Sequence, residues 1–102
     1  MNKYGAKRTW SEMCQRWFDS KAEGKRGEEL HLLQMAGEIK ELEYQVLFIL
    51  NGKPKVTIRI DFKYSENGCV LYEDTKGVLT RDSRTKLAWL EQSTGIRVKL
   101  TK

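Results

Sequence analysis

The amino-acid sequence predicts a small mixed α+β fold in which a mixed β-sheet is flanked by two helices. Three observations predict it: two alternating apolar and polar segments joined by Asn67-Gly68, two segments with helix start and stop signals, and a short alternating segment near the C-terminal end. In chain order they form α-β-β-β-α-β. At 102 residues we expect one domain with a modest core, for which oligomerisation would add stability.

The composition argues against several functional classes. The hydrophobic content of 39% is ordinary for a globular protein, and no apolar run approaches the roughly 18 residues that cross a membrane. The first residues lack the apolar region of a secretory signal, and Cys14 and Cys69 lack disulfide-framework or metal-site spacing, so we expect a cytoplasmic protein with reduced thiols. His31 is the only histidine, which argues against histidine zinc sites and a Ser-His-Asp triad.

The net charge of +5 is unevenly distributed along the chain. Residues 1–26 carry seven Lys and Arg against three acids, residues 75–102 carry seven against two, and residues 27–74 carry five against nine. Basic ends around an acidic centre fit a phosphate-bearing partner held by the ends, with metal-binding carboxylates between them. A solvated surface of mixed charge is the alternative.

The N-terminal segment, residues 1–17, has no clear period and reads as a basic and aromatic arm. Its cations interleave with aromatic residues: Lys3, Lys7 and Arg8 alternate with Tyr4, Trp10 and Trp17. This combination suits contact with phosphates and stacking on bases or sugars. An arm that packs its tryptophans on a partner subunit fits the pattern equally well.

The first helix is predicted to begin after Ser20, because Ser20 and Glu23 have the spacing of a capping box. It runs to Met35 or Ala36 and ends at Gly37, a typical C-terminal glycine. The apolar residues predicted to form its buried face are Ala22, Leu30, Leu32, Leu33 and Ala36.

Four further residues of this helix have possible roles in a site or in packing. Glu23 lies at the edge of the predicted buried face, and Glu29 projects from its middle. A carboxylate among apolar neighbours is costly unless it has a function. Gly24 and Gly27 are poor helix formers, and they would permit the close approach of another backbone or of DNA.

Three strands should follow the first helix. Within residues 39–50 a strand begins by about Tyr44. This strand is rich in apolar residues and is therefore predicted to be central in the sheet. After a turn at residues 51–54, Val56–Tyr64 alternates strictly between apolar and polar residues. Asn67-Gly68 is a strong hairpin signal, and the return strand spans residues 69–76.

The predicted hairpin gathers two carboxylates and an amine on one face. With a two-residue turn, paired residue numbers sum to 135, so Asp61 lies opposite Asp74, and Lys76 shares their face. Opposed like charges are destabilising, which favours a cation between them or a shared proton. A divalent ion such as Mg²⁺ is held by one or two carboxylates with waters and a substrate phosphate. A solvated surface hairpin with the same residues is the alternative.

The chain should close with a second helix and a short strand. Thr80 caps a helix that ends at Gly95, and its inward residues are predicted to be Leu87, Ala88 and Leu90. Its first half presents a basic surface made by Arg81, Arg84 and Lys86. Residues 96–100 alternate again and form the last strand.

Several segments of residues 18–90 together resemble a known family. They are Phe18-Asp19-Ser20-Lys21-Ala22-Glu23, Glu29-Leu30, Ala36-Gly37-Glu38-Ile39, Leu42-Glu43-Tyr44-Gln45, Ile60-Asp61-Phe62-Lys63-Tyr64 and Glu73-Asp74-Thr75-Lys76-Gly77. In this order they resemble small phage and prophage proteins described as Holliday-junction-resolvase-like endonucleases, within the PD-(D/E)XK nuclease superfamily. Three departures are that Ile60 stands where a proline is usual, that Glu73 adds a second acid, and that the N-terminal arm matches the family poorly. Asp74 is assigned because Glu73 points to the opposite face with Phe62.

The resemblance implies a restriction-endonuclease-like αβββαβ core over residues 18–102, preceded by the arm at residues 1–17. It implies an Mg²⁺-dependent endodeoxyribonuclease with Mg²⁺ or Mn²⁺ as cofactor. The residues that it assigns to the metal are Asp61, Asp74, the backbone carbonyl of Thr75, and Glu23, with Lys76 as the catalytic lysine. Glu29 is the fallback helix acid, and Gln45 either hydrogen-bonds within the site or fills the sheet.

The resemblance also implies partners and a cellular setting. The substrate would be DNA, as a four-way junction or another branched form, contacted through Lys3, Lys7, Arg8, Arg81, Arg84 and Lys86. Symmetric cutting of a junction needs two sites, so a homodimer is expected. The protein would act in the cytoplasm of a bacterial host as a phage or prophage product. Two alternatives are a nicking or flap nuclease, and a DNA-binding protein without catalysis on the same fold.

Overall fold

The computed structural model describes residues 7–76 and 78–101, and in this part of the chain it contains two helices and six strands. The elements in order are β1 (Thr9–Ser11), β2 (Arg16–Phe18), α1 (Lys21–Met35), β3 (Lys40–Gly52), β4 (Lys55–Glu66), β5 (Cys69–Thr75), α2 (Arg81–Thr94) and β6 (Val98–Thr101). From α1 onward the order is the predicted α-β-β-β-α-β. The mixed α+β class with a mixed sheet and two helices is confirmed.

Both helices begin and end where their capping residues predict. The Ser20 side chain accepts a hydrogen bond from the Glu23 N–H, and α1 is followed by Gly37 at φ +81°. The Thr80 side chain accepts from the Ser83 N–H, and Gly95 closes α2 at φ +80°. A left-handed φ at these two helix ends is the conformation that glycine adopts at low cost.

The buried face of α1 differs from the predicted one. Leu30 is buried, but Leu32 is 51% exposed, and the remaining buried positions are Glu23, Gly24 and Gly27. The ring of Phe18 occupies the space over the glycines: a Cβ on Gly27 would lie 2.6 Å from Phe18 Cζ. The group that approaches α1 closely is therefore an aromatic side chain of the core, rather than another backbone or DNA.

The main sheet has the strand order β3-β4-β5-β6, antiparallel at the first two contacts and parallel between β5 and β6. The prediction that the first of these strands is central is wrong, because β3 forms the edge. Leu47 and Ile49 on β3 are accordingly 51% and 62% exposed. The buried run Ile60–Phe62 with Tyr64 lies on β4, which pairs on both sides.

The β4–β5 hairpin has the predicted register. Phe62 pairs with Glu73 and Glu66 with Cys69, so that paired numbers sum to 135 across the Asn67-Gly68 turn. Positive φ values of 53° and 80° at Asn67 and Gly68 are those that a type I′ turn requires.

Residues 9–17 of the segment interpreted as an arm, together with Phe18, form the two-stranded hairpin β1–β2. This hairpin contacts α1 on one side: Ser11 is buried and its Oγ donates a 2.6 Å hydrogen bond to Glu28 Oε2. The core cluster combines residues from the hairpin, α1, the α1–β3 connection and the sheet: Phe18, Leu30, Ile39, Phe62 and Tyr64. Lys3 and Tyr4 lie outside the described residues.

Neither helix in the described part of the chain has the length and apolar character needed to cross a membrane.

Candidate functional site

Asp61 and Asp74 are fixed side by side where the β4–β5 pairing ends. The Asp61 backbone N–H donates a 3.0 Å hydrogen bond to Asp74 Oδ1, and the Thr75 N–H donates a 2.8 Å hydrogen bond to Asp61 Oδ2. Each carboxylate is thus held by a backbone amide of the neighbouring strand. Because backbone amides cannot rotate away as side chains do, the two acids are oriented before any ligand arrives.

The Asp74 carboxylate has one oxygen that the fold leaves without a hydrogen bond. Asp74 is 1% exposed, and its Oδ2 has no hydrogen-bond partner within residues 7–76 and 78–101. Lys76 Nζ lies 2.9 Å from this oxygen as an ion pair, although its angle of approach is not that of a hydrogen bond. A buried carboxylate oxygen without full hydrogen bonding is costly, so this oxygen is suited to accept a cation.

The pair carries a large electrostatic cost when both acids are ionised. Burial, followed by the charges of Asp74 and Glu23, raises the pKa of Asp61 to about 9, against the lowering effect of the Thr75 amide. In the absence of a cation, this raised pKa favours the protonated form of the Asp61 carboxyl. The repulsion between opposed acids is the one that the sequence predicts.

Glu23 approaches this pair from the first turn of α1. It is only 3% exposed, and Gln45 Nε2 donates a hydrogen bond to its Oε2. Burial, then the charge of Asp19 and, less strongly, that of Asp74, raise the pKa of Glu23 to about 7. The Glu23 side chain hydrogen-bonds to the sheet, and its own backbone N–H provides the contact with the Ser20 cap.

Gln45 adopts a left-handed backbone conformation with φ +55° within β3, which is unusual for a residue with a side chain. It is flanked by the regular pairs of Tyr44 with Phe62 and of Val46 with Ile60. This strained position lies beside the acids, and strained backbone is concentrated at functional sites.

Glu29, the fallback acid, lies away from the pair. Its side chain is 50% exposed, and its Oε1 lies 3.3 Å from Arg26 Nη1 on the helix surface. The structure therefore places Glu23 within electrostatic range of Asp61 and Asp74, and leaves Glu29 on the outside.

A buried ion pair beside the site was missed from the sequence. Arg26 donates two 2.8 Å hydrogen bonds to the two carboxylate oxygens of Glu73, and the Tyr64 hydroxyl donates a third. Burial favours the neutral form of Glu73, but these hydrogen bonds outweigh it, so the pKa of Glu73 is lowered. No spacing in the sequence connects residues 26 and 73. The pair ties the helix that carries Glu23 to the strand that carries Asp74.

A cationic cleft of about 180 Å³ opens next to Lys76. Three cations line it, Arg59, Lys76 and Lys86, together with Thr57, Ile58, Asp82, Ser83 and Leu87. Lys86 Nζ lies 3.4 Å from Asp82 Oδ2, while Arg81 and Arg84 are exposed on α2. Arg59 was missed from the sequence, although its position two residues before Asp61 places it on the same strand face. Asp61 and Asp74 line neither this cleft nor the larger one of about 540 Å³ between β5 and the α2–β6 connection; Lys76 is the residue that links the carboxylate pair to the cationic cleft.

The donor set of the site fits a hard divalent cation. Among the residues that the structure describes, no three or more His, Cys, Asp or Glu side chains are already grouped as metal ligands. Mg²⁺ commonly needs only one or two carboxylates and completes its shell with water and phosphate. Asp61 and Asp74 supply such a pair, with an oxygen on Asp74 that lacks a hydrogen bond. Oxygen ligands without cysteine or histidine favour Mg²⁺ or Mn²⁺ over zinc.

Fold and site together define a small α+β protein with a buried carboxylate pair and a lysine at the end of a β-hairpin. The chain belongs to the family described as Protein of unknown function (DUF1064), whose model matches residues 1–100. No curated protein and no solved structure matches the chain.

Proposed function

We propose that this protein is a metal-dependent DNA endonuclease that hydrolyses phosphodiester bonds. The observation that carries the proposal is the amide-held pair of Asp61 and Asp74 with Lys76 Nζ 2.9 Å from Asp74 Oδ2. Two fixed acids and an adjacent ammonium are the groups that metal-assisted attack of water on a phosphate requires. The restriction-endonuclease-like relationship of the core belongs to the same proposal.

In this mechanism Asp61 and Asp74 would hold Mg²⁺ or Mn²⁺, and the Thr75 carbonyl and Glu23 would supply further oxygen ligands. When bound, the ion supplies Lewis-acid chemistry, which lowers the pKa of water and polarises the scissile phosphate. Lys76 orients the attacking water and offsets the negative charge that develops on the phosphate oxygens. Gln45 holds the Glu23 carboxylate in position through its amide.

The cationic cleft provides a binding site for the neighbouring phosphates of the DNA strand. Arg59 and Lys86 line it together with Lys76, so a phosphate in the cleft lies next to the catalytic lysine. The exposed Arg81 and Arg84 extend this surface along α2. At the other end of the chain, the cations proposed to contact DNA are Lys3, Lys7 and Arg8. Contacts of this kind read backbone position and shape rather than base sequence.

Branched DNA, and in particular the four-way junction, is the proposed substrate. Symmetric cutting of a junction requires two sites related by a two-fold axis, so we propose a homodimer. Leu47 and Ile49 on the edge strand β3 present apolar side chains that a second copy would cover. The proposed setting is the cytoplasm of a bacterial host, with the protein encoded by a phage or prophage.

A cleavage panel tests the chemistry and the substrate separately. The protein is incubated with a synthetic four-way junction, a flap, a nicked duplex and a linear duplex, each with Mg²⁺, with Mn²⁺ or with EDTA. Asp61→Asn should abolish metal-dependent cleavage of every substrate, because it removes a metal ligand. Glu66→Gln changes an exposed acid at the far end of the same hairpin and should cut at the wild-type rate.

Each outcome of the panel has a distinct meaning. Cleavage of flaps or nicked duplexes in preference to junctions would retain the nuclease and replace the junction by another branched substrate. Salt-sensitive DNA binding without cleavage in either metal would contradict catalysis and favour a non-catalytic DNA-binding protein. Undiminished cleavage by Asp61→Asn would overturn the assigned site.

Sedimentation tests the dimer. Leu47→Arg and Ile49→Arg place charges on the exposed face of β3 and should convert a dimer to a monomer without unfolding it. Wild-type protein that sediments as a monomer at micromolar concentration, alone and with a junction, would contradict the proposed dimer.

A further inference from the structure

Two exposed tryptophans lie opposite each other on the β1–β2 hairpin. Trp10 and Trp17 are paired in the hairpin register, and their ring centroids are 5.6 Å apart at an interplanar angle of 63°. They are 43% and 53% exposed. The hairpin thus presents a continuous aromatic surface to solvent.

The exposed tryptophans contribute little to the core of the protein. Side chains alternate across a strand, so Ser11 and Phe18 lie on the opposite face from Trp10 and Trp17. Ser11 and Phe18 are buried, and Phe18 belongs to the core cluster. The inner face attaches the hairpin to α1, whereas the outer face has no such contact role. Large exposed aromatic surfaces of this kind indicate an interaction site.

The charges around the tryptophans favour an anionic partner with flat rings. The Arg8 guanidinium lies 5.2 Å from the centroid of the Trp17 ring, and Lys7, the preceding residue in the chain, is exposed. Arg16 lies on the inner face of the hairpin, where it stacks 4.0 Å from the centroid of the Tyr44 ring, and is not part of this surface. Glu12 is the acid of the hairpin, and its carboxylate accepts a 2.8 Å hydrogen bond from Trp10 Nε1.

We propose that the outer face of this hairpin binds single-stranded nucleic acid, with unpaired bases stacked on Trp10 and Trp17 and phosphates held by Lys7 and Arg8. Aromatic side chains with adjacent cations bind single strands because unpaired bases expose their π-faces, which a duplex conceals. The binding goes beyond the proposed nuclease activity, because it requires neither the carboxylate pair nor a metal.

The placement of the hairpin relates this surface to the candidate active site. Strand β2 ends at Phe18, and α1 begins at Lys21 with Glu23 in its first turn. The hairpin that carries the tryptophans is thus joined by two residues to the helix that carries Glu23.

Fluorescence anisotropy of a labelled oligonucleotide measures the binding directly. The full-length protein is titrated into a labelled dT₁₅, its U₁₅ counterpart and a labelled duplex, all in EDTA so that no cleavage occurs. Trp10→Ala and Trp17→Ala should each weaken single-strand binding roughly 10-fold, while duplex binding changes by less than about 2-fold. Trp89→Ala removes an exposed tryptophan of α2 and should bind as wild type.

Two substitutions at one position separate stacking from general hydrophobic contact. Trp17→Phe keeps an aromatic face and should retain most of the affinity, whereas Trp17→Leu should lose as much as Trp17→Ala. Circular dichroism confirms that each variant is folded. Loss confined to dT₁₅ assigns the surface to DNA, and loss on U₁₅ assigns it to RNA; both results support the proposal.

Three results would overturn the proposed single-strand binding. The first is unchanged single-strand binding in Trp10→Ala and Trp17→Ala, and the second is equal affinity of Trp17→Phe and Trp17→Leu. The third is that the tryptophan variants lose a dimer in sedimentation without any change in oligonucleotide affinity. The last result would assign the tryptophans to a second copy of the chain. Because the titration is done in EDTA, failure of the proposed nuclease activity leaves it unaffected.

Discussion

Replacing Asp61 by asparagine should stabilise the metal-free protein at neutral pH. Asparagine keeps an oxygen that accepts the Thr75 N–H but has no charge to bury. The pKa of Asp61 is raised to about 9 by burial and by the charges of Asp74 and Glu23. Because this folded-state pKa lies above the unfolded value, the contribution of Asp61 to stability is complete below about pH 4 and is lost as the pH rises towards 9.

The size of the effect follows from the distance between pH 7 and the ordinary pKa of Asp61, which is 3.8. This interval is about three pH units, and each unit corresponds to about 1.4 kcal/mol, so the wild type loses on the order of 4 kcal/mol by pH 7. Small domains are stable by about 5–15 kcal/mol, so the loss would be a large part of the total.

Urea denaturation in EDTA at pH 5, 6, 7 and 8 measures this dependence. The wild type should lose stability across the series, and Asp61→Asn should lose less; the residual slope comes from Glu23, whose pKa is raised to about 7. Glu66→Gln should follow the wild type. Mg²⁺ should stabilise the wild type more at pH 8 than at pH 5, because the ion and the proton compete for the same carboxylates. Asp61→Asn should lose most of this stabilisation by Mg²⁺.

Two results would refute the reasoning. Equal stability of the wild-type protein at pH 5 and pH 8 in EDTA would show that the acids are not held at raised pKa. An equally steep loss of stability in Asp61→Asn would show that other groups cause the pH dependence.

Three further predictions concern packing, the buried ion pair and the lysine. Gly27→Ala should destabilise the fold by about 1–3 kcal/mol in thermal denaturation, because its Cβ would lie 2.6 Å from the Phe18 ring. The matched variant Gly24→Ala would place its Cβ at an ordinary contact distance of 3.5 Å from the same ring and should stabilise the fold by up to about 1 kcal/mol through helix propensity. Equal effects of the two variants would contradict this packing. Arg26→Met should cost about 3 kcal/mol in urea denaturation, because it removes the guanidinium from the buried Glu73 carboxylate and leaves the Tyr64 hydroxyl as its hydrogen-bond donor. Adding Glu73→Leu should restore most of the loss, and a double variant no more stable than Arg26→Met would contradict this account. Lys76→Met should reduce cleavage at least about 100-fold with DNA affinity changed only slightly, whereas retained cleavage would remove Lys76 from the mechanism.

Local chemistry made several features of the fold predictable from the sequence. Ser20 and Thr80 each accept a hydrogen bond from an N–H three residues ahead, and Gly95 ends α2 in a conformation that suits glycine. The Asn67-Gly68 turn set the register of the β4–β5 hairpin, and with it the juxtaposition of Asp61 and Asp74. Each of these features depends on residues close together in the chain.

Only the tertiary structure decided which of several possible long-range contacts form. β3 has the apolar composition of a central strand, but among the described strands it pairs with β4 alone, and composition does not reveal the number of pairing partners. The Arg26–Glu73 pair joins residues 47 positions apart in the sequence, and the hydrogen bond from Gln45 to Glu23 joins residues 22 positions apart. The sequence alone thus determined the helix ends, the hairpin register and the two acids it opposes. Packing decided which helix acid joins them, because that choice depends on how α1 lies against the sheet.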